Sequence, residues 1–243
     1  MAWSRRRRWA LWLVGAAAAV VVLAVGGTFL YIHVISGPAP APLGLKSAGS
    51  GTGSAGAGGS ATAGESAATP VAGTWNIAKG SVVGYRVKEV LFGQNHVAVG
   101  RTSAITGHIT ISGTTVSAGT FTAAMATIKS DESERDVQFR GRIMDTSAYP
   151  TGTLALARPI ALAPLPAPGV VKTYTVTAGL TLRGHTRTVT FPLSAERTSG
   201  EIELSGSIPV LFADWDIPNP SFTGFVTTQN HGVLEFLLKL ARS

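Results

Sequence analysis

The side chains that could carry out chemistry are few and scattered along this sequence. Beyond the first 35 residues the histidines are His96, His108, His185 and His231, and no two have the His-x-x-x-His spacing that places two metal ligands on one helix face. The 243 residues include no cysteine, which excludes disulfides, thiolate nucleophiles and Cys-ligated metals. The sequence therefore predicts no metal site and no cysteine chemistry.

Only one group of carboxylates is dense enough to suggest paired acid and base catalysis. It comprises Asp131, Glu132, Glu134 and Asp136. Ser130 or Asp131 can cap a helix, and acidic side chains in the first turn interact favourably with the helix dipole. A helix start therefore explains the group more simply than acid-base catalysis does. The sequence also has no nucleophile elbow, phosphate-binding glycine loop or dinucleotide fingerprint. We therefore predict a protein that is not an enzyme.

The net charge of +7 invites a nucleic-acid partner, but its distribution argues against one. Arg5, Arg6, Arg7 and Arg8 carry four of the 20 basic residues, which leaves 16 against 13 acidic residues in the rest of the chain. Phosphate binding needs basic residues gathered on one face. We therefore predict no nucleic-acid partner.

The N-terminal region predicts a membrane anchor followed by a spacer. Residues 9–35 carry no charge and exceed the ~20 residues that span a bilayer, whereas a cleaved signal peptide has a shorter apolar region. The basic tail 1–8 precedes this run, which predicts a single-pass protein of the cytoplasmic membrane with its N-terminus inside and its C-terminal domain extracytoplasmic. Residues 36–73 are rich in Gly, Ser, Ala and Pro and predict a disordered linker with a reach of roughly 35 Å.

Residues 74–243 form one domain's worth of chain in which apolar residues alternate with polar ones. The alternation from 174 to 182 stops at Arg183-Gly184-His185 and resumes at Val189, which predicts an antiparallel hairpin. Similar segments predict about eight strands in all. One segment, 131–144, predicts a short helix after the third strand, with Val137 and Phe139 on its inner side.

An antiparallel set of eight strands with one apolar face must stack as a sandwich or close as a barrel, since exposed edges invite aggregation. The alternation alone does not separate the two. An eight-stranded barrel has an interior that side chains fill or that one small ligand occupies. Small inward residues such as Ala123 and Ala178 would leave space for a ligand.

Three motifs in 74–243 resemble the YceI-like, polyisoprenoid-binding proteins of the bacterial cell envelope. They are Trp75-Asn76-Ile77 with the S-V-V-G-Y-R-V run at 81–87; R-D-V-Q-F at 135–139 with Tyr149-Pro150; and Y-T-V-T-A-G-L-T-L-R-G-H-T at 174–186. The resemblance covers essentially the whole domain. It implies an all-β, lipocalin-like antiparallel barrel around a long apolar channel that holds an isoprenoid lipid, either a polyprenyl chain or a quinone, with no cofactor.

An isoprenoid tail requires only an apolar tube, because each buried methylene contributes ~0.8 kcal/mol before the costs of binding. Each inward residue is alternatively ordinary packed core. The predicted ligand-binding residues are Val83, Tyr85, Val87, Phe121, Met125, Leu154, Leu156, Tyr174, Val176, Leu180, Val189, Phe191, Trp215 and Phe222. The last two belong to an aromatic-rich stretch, 211–230. Its aromatic residues either cover the barrel mouth or touch a bilayer, or they close the barrel end as ordinary core.

Polar side chains near the strand ends are candidates for holding a lipid headgroup. We name Arg86, Arg101, His96 and His185, because an Arg guanidinium binds a pyrophosphate through paired hydrogen bonds. The alternative is that all four are solvated strand ends.

The leading hypothesis is a membrane-tethered, non-enzymatic lipid-binding protein. The second is a cell-envelope interaction module whose solid barrel binds a protein partner through its loops, and the third is an enzyme on an apolar substrate. The sequence leaves open which isoprenoid binds and whether the barrels pair as homodimers.

Overall fold

The computed structural model describes residues 20, 39–45, 71–91, 93–198, 200–221 and 226–242. The predicted basic tail, nearly all of the predicted anchor and most of the predicted linker therefore lie outside the described residues. Within the described part of the chain, no helix has both the length and the apolar character needed to cross a bilayer. The seven residues 39–45 fall inside the predicted linker, yet they hydrogen-bond to the folded domain.

The strands within the described residues form one antiparallel sheet. They are β1 (Gly73–Ile77), β2 (Val82–Leu91), β3 (Gln94–Thr102), β4 (Ile105–Ser112), β5 (Thr115–Ala124), β6 (Thr151–Leu156), β7 (Ile160–Ala161), β8 (Lys172–Leu182), β9 (His185–Arg197), β10 (Glu201–Leu211), β11 (Val226–Thr228) and β12 (His231–Arg242).

Eight of these strands close on themselves in the order β1, β4, β5, β6, β8, β9, β10, β12, and β12 pairs back onto β1. The predicted all-β, eight-stranded antiparallel barrel is thus confirmed. Strands β2 and β3 prolong β1 and β4 beyond a break, and β12 changes partner from β1 to β2 between Leu240 and Leu237. At the break the buried Ser81 hydroxyl donates to the Ala78 carbonyl at 2.9 Å and accepts from the Lys239 amide at 2.9 Å, which satisfies backbone groups that the ladder leaves unpaired.

The predicted short helix is present after β5, the third strand of the ring. Helix α1 (Ser133–Gln138) continues directly into a π turn, Phe139–Ile143. Phe139 is buried as predicted, but the inward placement of Val137 was wrong, because its exposure is 52%. Asp136 and Phe139 lie one turn apart and occupy the inner side, so Val137 points outward.

The predicted hairpin is β8 followed by β9, joined by the two-residue turn Arg183-Gly184. Both turn residues have positive φ, 47° and 77°, which is the type I′ geometry that matches the strand twist. Glycine is required at 184 for a second reason, since a Cβ there would lie 2.7 Å from the ring of Tyr149. The hairpin thereby connects two of the motifs that carry the family resemblance.

Candidate ligand-binding channel

The barrel interior contains two adjoining apolar cavities, which we call chamber 1 and chamber 2. Chamber 1 has a volume of about 110 Å³ and chamber 2 of about 180 Å³. Phe121, Leu154, Phe236 and Leu238 line both. A single water needs only ~10–15 Å³ of such space, and apolar cavities stay dry, so these volumes suit an apolar guest.

The alternation along β8 explains how one strand serves both chambers. Tyr174, Val176 and Ala178 line chamber 1, while Leu180 and Leu182 line chamber 2. At ~3.4 Å per residue, the eight steps from Tyr174 to Leu182 give a channel of roughly 27 Å. The apolar interior is therefore long and narrow along the strand direction.

The structure places most of the predicted ligand-binding residues in the chambers. Leu156, Tyr174, Val176 and Phe191 line chamber 1; Val83, Tyr85, Val87, Met125 and Leu180 line chamber 2; and Phe121 and Leu154 line both. The predicted space-leaving residues, Ala178 and Ala123, line chambers 1 and 2, respectively. Val189 and Trp215 are not among the lining residues, and Phe222 lies outside the described residues.

Trp215 is part of the packed core at one side of chamber 2. It is 2% exposed, and its indole N–H donates to the Leu180 carbonyl at 3.1 Å. Its short 3₁₀ turn, Phe212–Trp215, packs against β9, the strand that carries the half-buried Val189. Trp215 is therefore packed among core residues in the structure.

Charged residues that the sequence analysis did not select lie beside chamber 2. Glu89 and Arg135 both line it, and the Arg135 guanidinium donates to the Glu89 carboxylate at 3.1 Å. His96, a predicted headgroup residue, contacts the same carboxylate oxygen at 2.9 Å through Nδ1. Two signals were available in the sequence: Glu89 continues the inward alternation of Tyr85 and Val87, and Arg135 opens a motif of the resemblance.

The local environment determines the protonation of this cluster. Burial lowers the pKa of Arg135, but the carboxylates of Glu89 and Asp131 outweigh it, so the net pKa is raised. Burial also raises the pKa of Tyr85, whose ring stacks on Phe139 with centroids 5.2 Å apart. The end of chamber 2 therefore presents a permanent cation beside a neutral phenol.

Arg86 and Arg101 lie on the outer wall of the barrel, not at a chamber mouth. Arg86 alternates with the chamber-lining Tyr85 and Val87, and both arginines pair with Glu235, at 3.4 Å and 2.8 Å. The side chain of His185 is exposed at the hairpin turn. Among the four predicted headgroup residues, His96 hydrogen-bonds to a chamber-lining side chain, that of Glu89, while His185 pairs in the hairpin with the chamber-lining Leu182.

The domain matches the model of the YceI-like domain over residues 75–239. The chain therefore belongs to the YceI-like family, as the motifs indicated. Among curated proteins, none matches this chain.

Several solved structures are similar to this chain at low sequence identity. A polyisoprenoid binding domain from Saccharophagus degradans superposes with a TM-score of 0.59 and 15% identity, covering 71% of this chain and 99% of that one. BcnA of Burkholderia cenocepacia has a TM-score of 0.49 and 19% identity over 64% of this chain and 95% of its own. The Campylobacter jejuni YCEI protein has a TM-score of 0.46 and 10% identity over 59% and 84%.

Proposed function

We propose that this chain is a membrane-tethered, extracytoplasmic protein that binds an isoprenoid lipid, a polyprenyl chain or a quinone, inside its barrel without catalysis. The observation that carries the proposal is the pair of adjoining chambers, whose walls are almost entirely hydrocarbon. The Saccharophagus degradans structure is that of a polyisoprenoid binding domain, which supports the same ligand class.

The chambers suit a methyl-branched tail for energetic reasons. Each methylene transferred from water contributes ~0.8 kcal/mol, so a few isoprene units exceed the cost of immobilising the chain. Side chains such as Phe121 and Leu154 would contact the tail at the junction of the two chambers. No ion or catalytic base is needed for this kind of binding.

The charged cluster beside chamber 2 gives the lipid a direction. Arg135 and Glu89 lie at the chamber wall, and Arg135 also pairs with Asp131, so the remaining N–H groups of its guanidinium would donate to an anionic or carbonyl-bearing headgroup. The lipid headgroup would therefore lie in chamber 2, with the tail extending past Phe121 into chamber 1.

Lipid extraction from the full chain tests the proposal. The chain is purified from bacterial membranes in detergent, and its lipids are identified by mass spectrometry. We expect a stoichiometric isoprenoid that is lost from the Val176→Trp, Leu180→Trp variant, because both indoles enter the channel.

The matched control is Thr175→Trp, Thr181→Trp, which adds the same indoles on the outer face of β8, and circular dichroism checks that both variants fold. An isoprenoid present on both variants, or on neither variant nor the parent, would contradict the proposal. In the second case a protein partner recovered by crosslinking would support the interaction-module hypothesis.

A further inference from the structure

Residues 39–45 form a short extended segment that lies on the outer wall of chamber 2. Arg86 donates to the Pro40 carbonyl at 2.6 Å, and Arg101 donates to the Ala41 carbonyl. In return, the Leu43 amide donates to the Glu235 carboxylate at 3.3 Å. The segment thus supplies two acceptors and one donor to a cluster carried by β2, β3 and β12.

The cluster beneath the segment is unusually well buried for the outside of a barrel. The Glu235 side chain is 3% exposed and lies between the guanidinium groups of Arg86 and Arg101. Val99 alternates with the chamber-lining Ala98 and so points outward, yet it is only 6% exposed. A surface without contacts would be exposed to solvent. This patch of the outer wall is therefore covered by other residues.

The sequence of the segment suits this position. Pro40 and Pro42 have no amide proton and restrict the chain to extended conformations, so little conformational entropy is lost when the segment orders. The carbonyls of Pro40 and Ala41 accept from the two arginines. A buried carboxylate is stable only when its lone pairs are satisfied, and Leu43 supplies one of the donors for Glu235.

We propose that residues 39–45 are an intramolecular clasp that shortens the tether between membrane and barrel. This consequence rests on the membrane anchoring in the proposed function. With the clasp closed, only the four steps from Ile35 to Ala39 separate the apolar run from the barrel wall, at most ~14 Å of chain. With the clasp open, the 38-residue linker has a reach of roughly 35 Å.

The position of the clasp also determines which part of the barrel is held near the bilayer. Arg86 alternates with Tyr85 and Val87 on β2, so the clasp grips the wall of chamber 2. The closed clasp keeps the chamber with the charged cluster close to the membrane that contains the lipid.

Hydrogen exchange on the full chain tests the clasp itself. In the Arg86→Gln, Arg101→Gln variant we expect the Leu43 amide to exchange roughly tenfold faster or more, because the segment loses its hydrogen bonds to charged groups. Lys88→Gln removes an exposed charge from the same strand and serves as the control. Equal exchange rates in the parent and the double variant would overturn the clasp.

A second variant leaves the barrel untouched and tests the tether length. Pro40→Gly, Pro42→Gly, Leu43→Gly changes only the segment. A dye on Thr188→Cys, an exposed residue of a chain that has no other cysteine, reports energy transfer to acceptor lipids in reconstituted vesicles. We expect lower transfer for the glycine variant than for the parent segment.

The two measurements separate the failure of the clasp from the failure of the anchor. If the chain does not float with vesicles, the anchoring and the two tether lengths are overturned, while unequal hydrogen exchange still establishes the clasp. If the chain floats and neither exchange nor energy transfer changes, the clasp is overturned and the anchor stands.

Discussion

Chambers 1 and 2 belong to one barrel but have different walls. Chamber 1 is lined mainly by strands, since β4, β5, β6, β8, β9, β10 and β12 contribute to it in an unbroken ladder, and the loop residues Leu162, Leu165 and Pro166 also line it. Around chamber 2, strand β3 pairs with β2 alone among the described strands and makes one further bridge, from Arg101 to Lys129, and Phe139, Ile143 and Met144 of the helical segment complete the wall. Displacing a helical segment breaks fewer backbone hydrogen bonds than separating two strands. We therefore expect the helical segment of chamber 2 to open more readily than the strands around it.

The charges at the two chambers differ as well. At chamber 1, the Arg197 guanidinium donates a hydrogen bond to the Pro166 carbonyl at 3.1 Å. The neighbouring Leu165 is 37% exposed. Glu89, His96 and Arg135 instead form a connected group beside chamber 2. Under the proposed function, we expect chamber 1 to accept the end of a tail and chamber 2 a polar group.

Filling each chamber separately should have the largest effect. We expect Ala178→Phe to block chamber 1 and to lower the affinity for a long isoprenoid by roughly 100-fold, because several methylenes are no longer buried. A short isoprenoid with the same headgroup should still bind. Ala123→Phe in chamber 2 should weaken both. Titration calorimetry with the two chain lengths measures this, with Thr175→Phe on the outer face as control. Equal losses for both lengths in Ala178→Phe would break the distinction between the chambers.

Removing the cation beside chamber 2 should have an intermediate effect. Arg135→Gln should weaken a phosphate-bearing isoprenoid by about tenfold or more, because hydrogen bonds to charged groups are lost, and leave the corresponding alcohol nearly unchanged. Lys129→Gln removes a nearby exposed charge and controls for the overall field. If the affinities for both lipids fall equally, Arg135 acts through the structure of the helical wall and not on the headgroup.

The smallest expected effect is on the free energy of unfolding at alkaline pH, when Tyr85 is replaced. Because burial raises the pKa of Tyr85, the folded chain keeps a proton that the unfolded chain loses near pH 10. Stability is therefore fully present below that pH and falls above it, by up to ~1.4 kcal/mol per pH unit for one proton. Tyr85→Phe should flatten this decline when denaturant unfolding is followed from pH 8 to pH 11. An unchanged slope would mean that the phenol ionises freely.

The inner surface of the barrel could be predicted from the sequence because strand periodicity states directly which residues share a face. Tyr174, Val176 and Leu180 line the chambers for that reason. The same rule, extended to charged residues, places Glu89 inward and Arg86 outward. The headgroup residues were predicted from charge and strand-end position alone, without this alternation.

Two other features were beyond sequence reasoning. The contact between Leu43 and Glu235 joins positions 192 apart, and no periodic pattern connects a proline-rich segment to a strand at that separation. The outward position of Val137 follows from how the helix and its π turn pack on the barrel, which tertiary contacts decide. Local patterns predict faces, and only the assembled fold predicts which distant segment covers them.

The barrel is closed by the first and last strands of the domain, and this has a consequence for the order of folding. Arg242 hydrogen-bonds to the Ala72 carbonyl 170 positions away, and β12 also pairs with β10 and β2. Such distant contacts form slowly, and this ladder cannot close before β12 has been synthesised. Until then both chambers lie open along their length. If the chain folds beside a membrane, as the proposed function requires, the pairing of β12 would be the step that encloses a lipid.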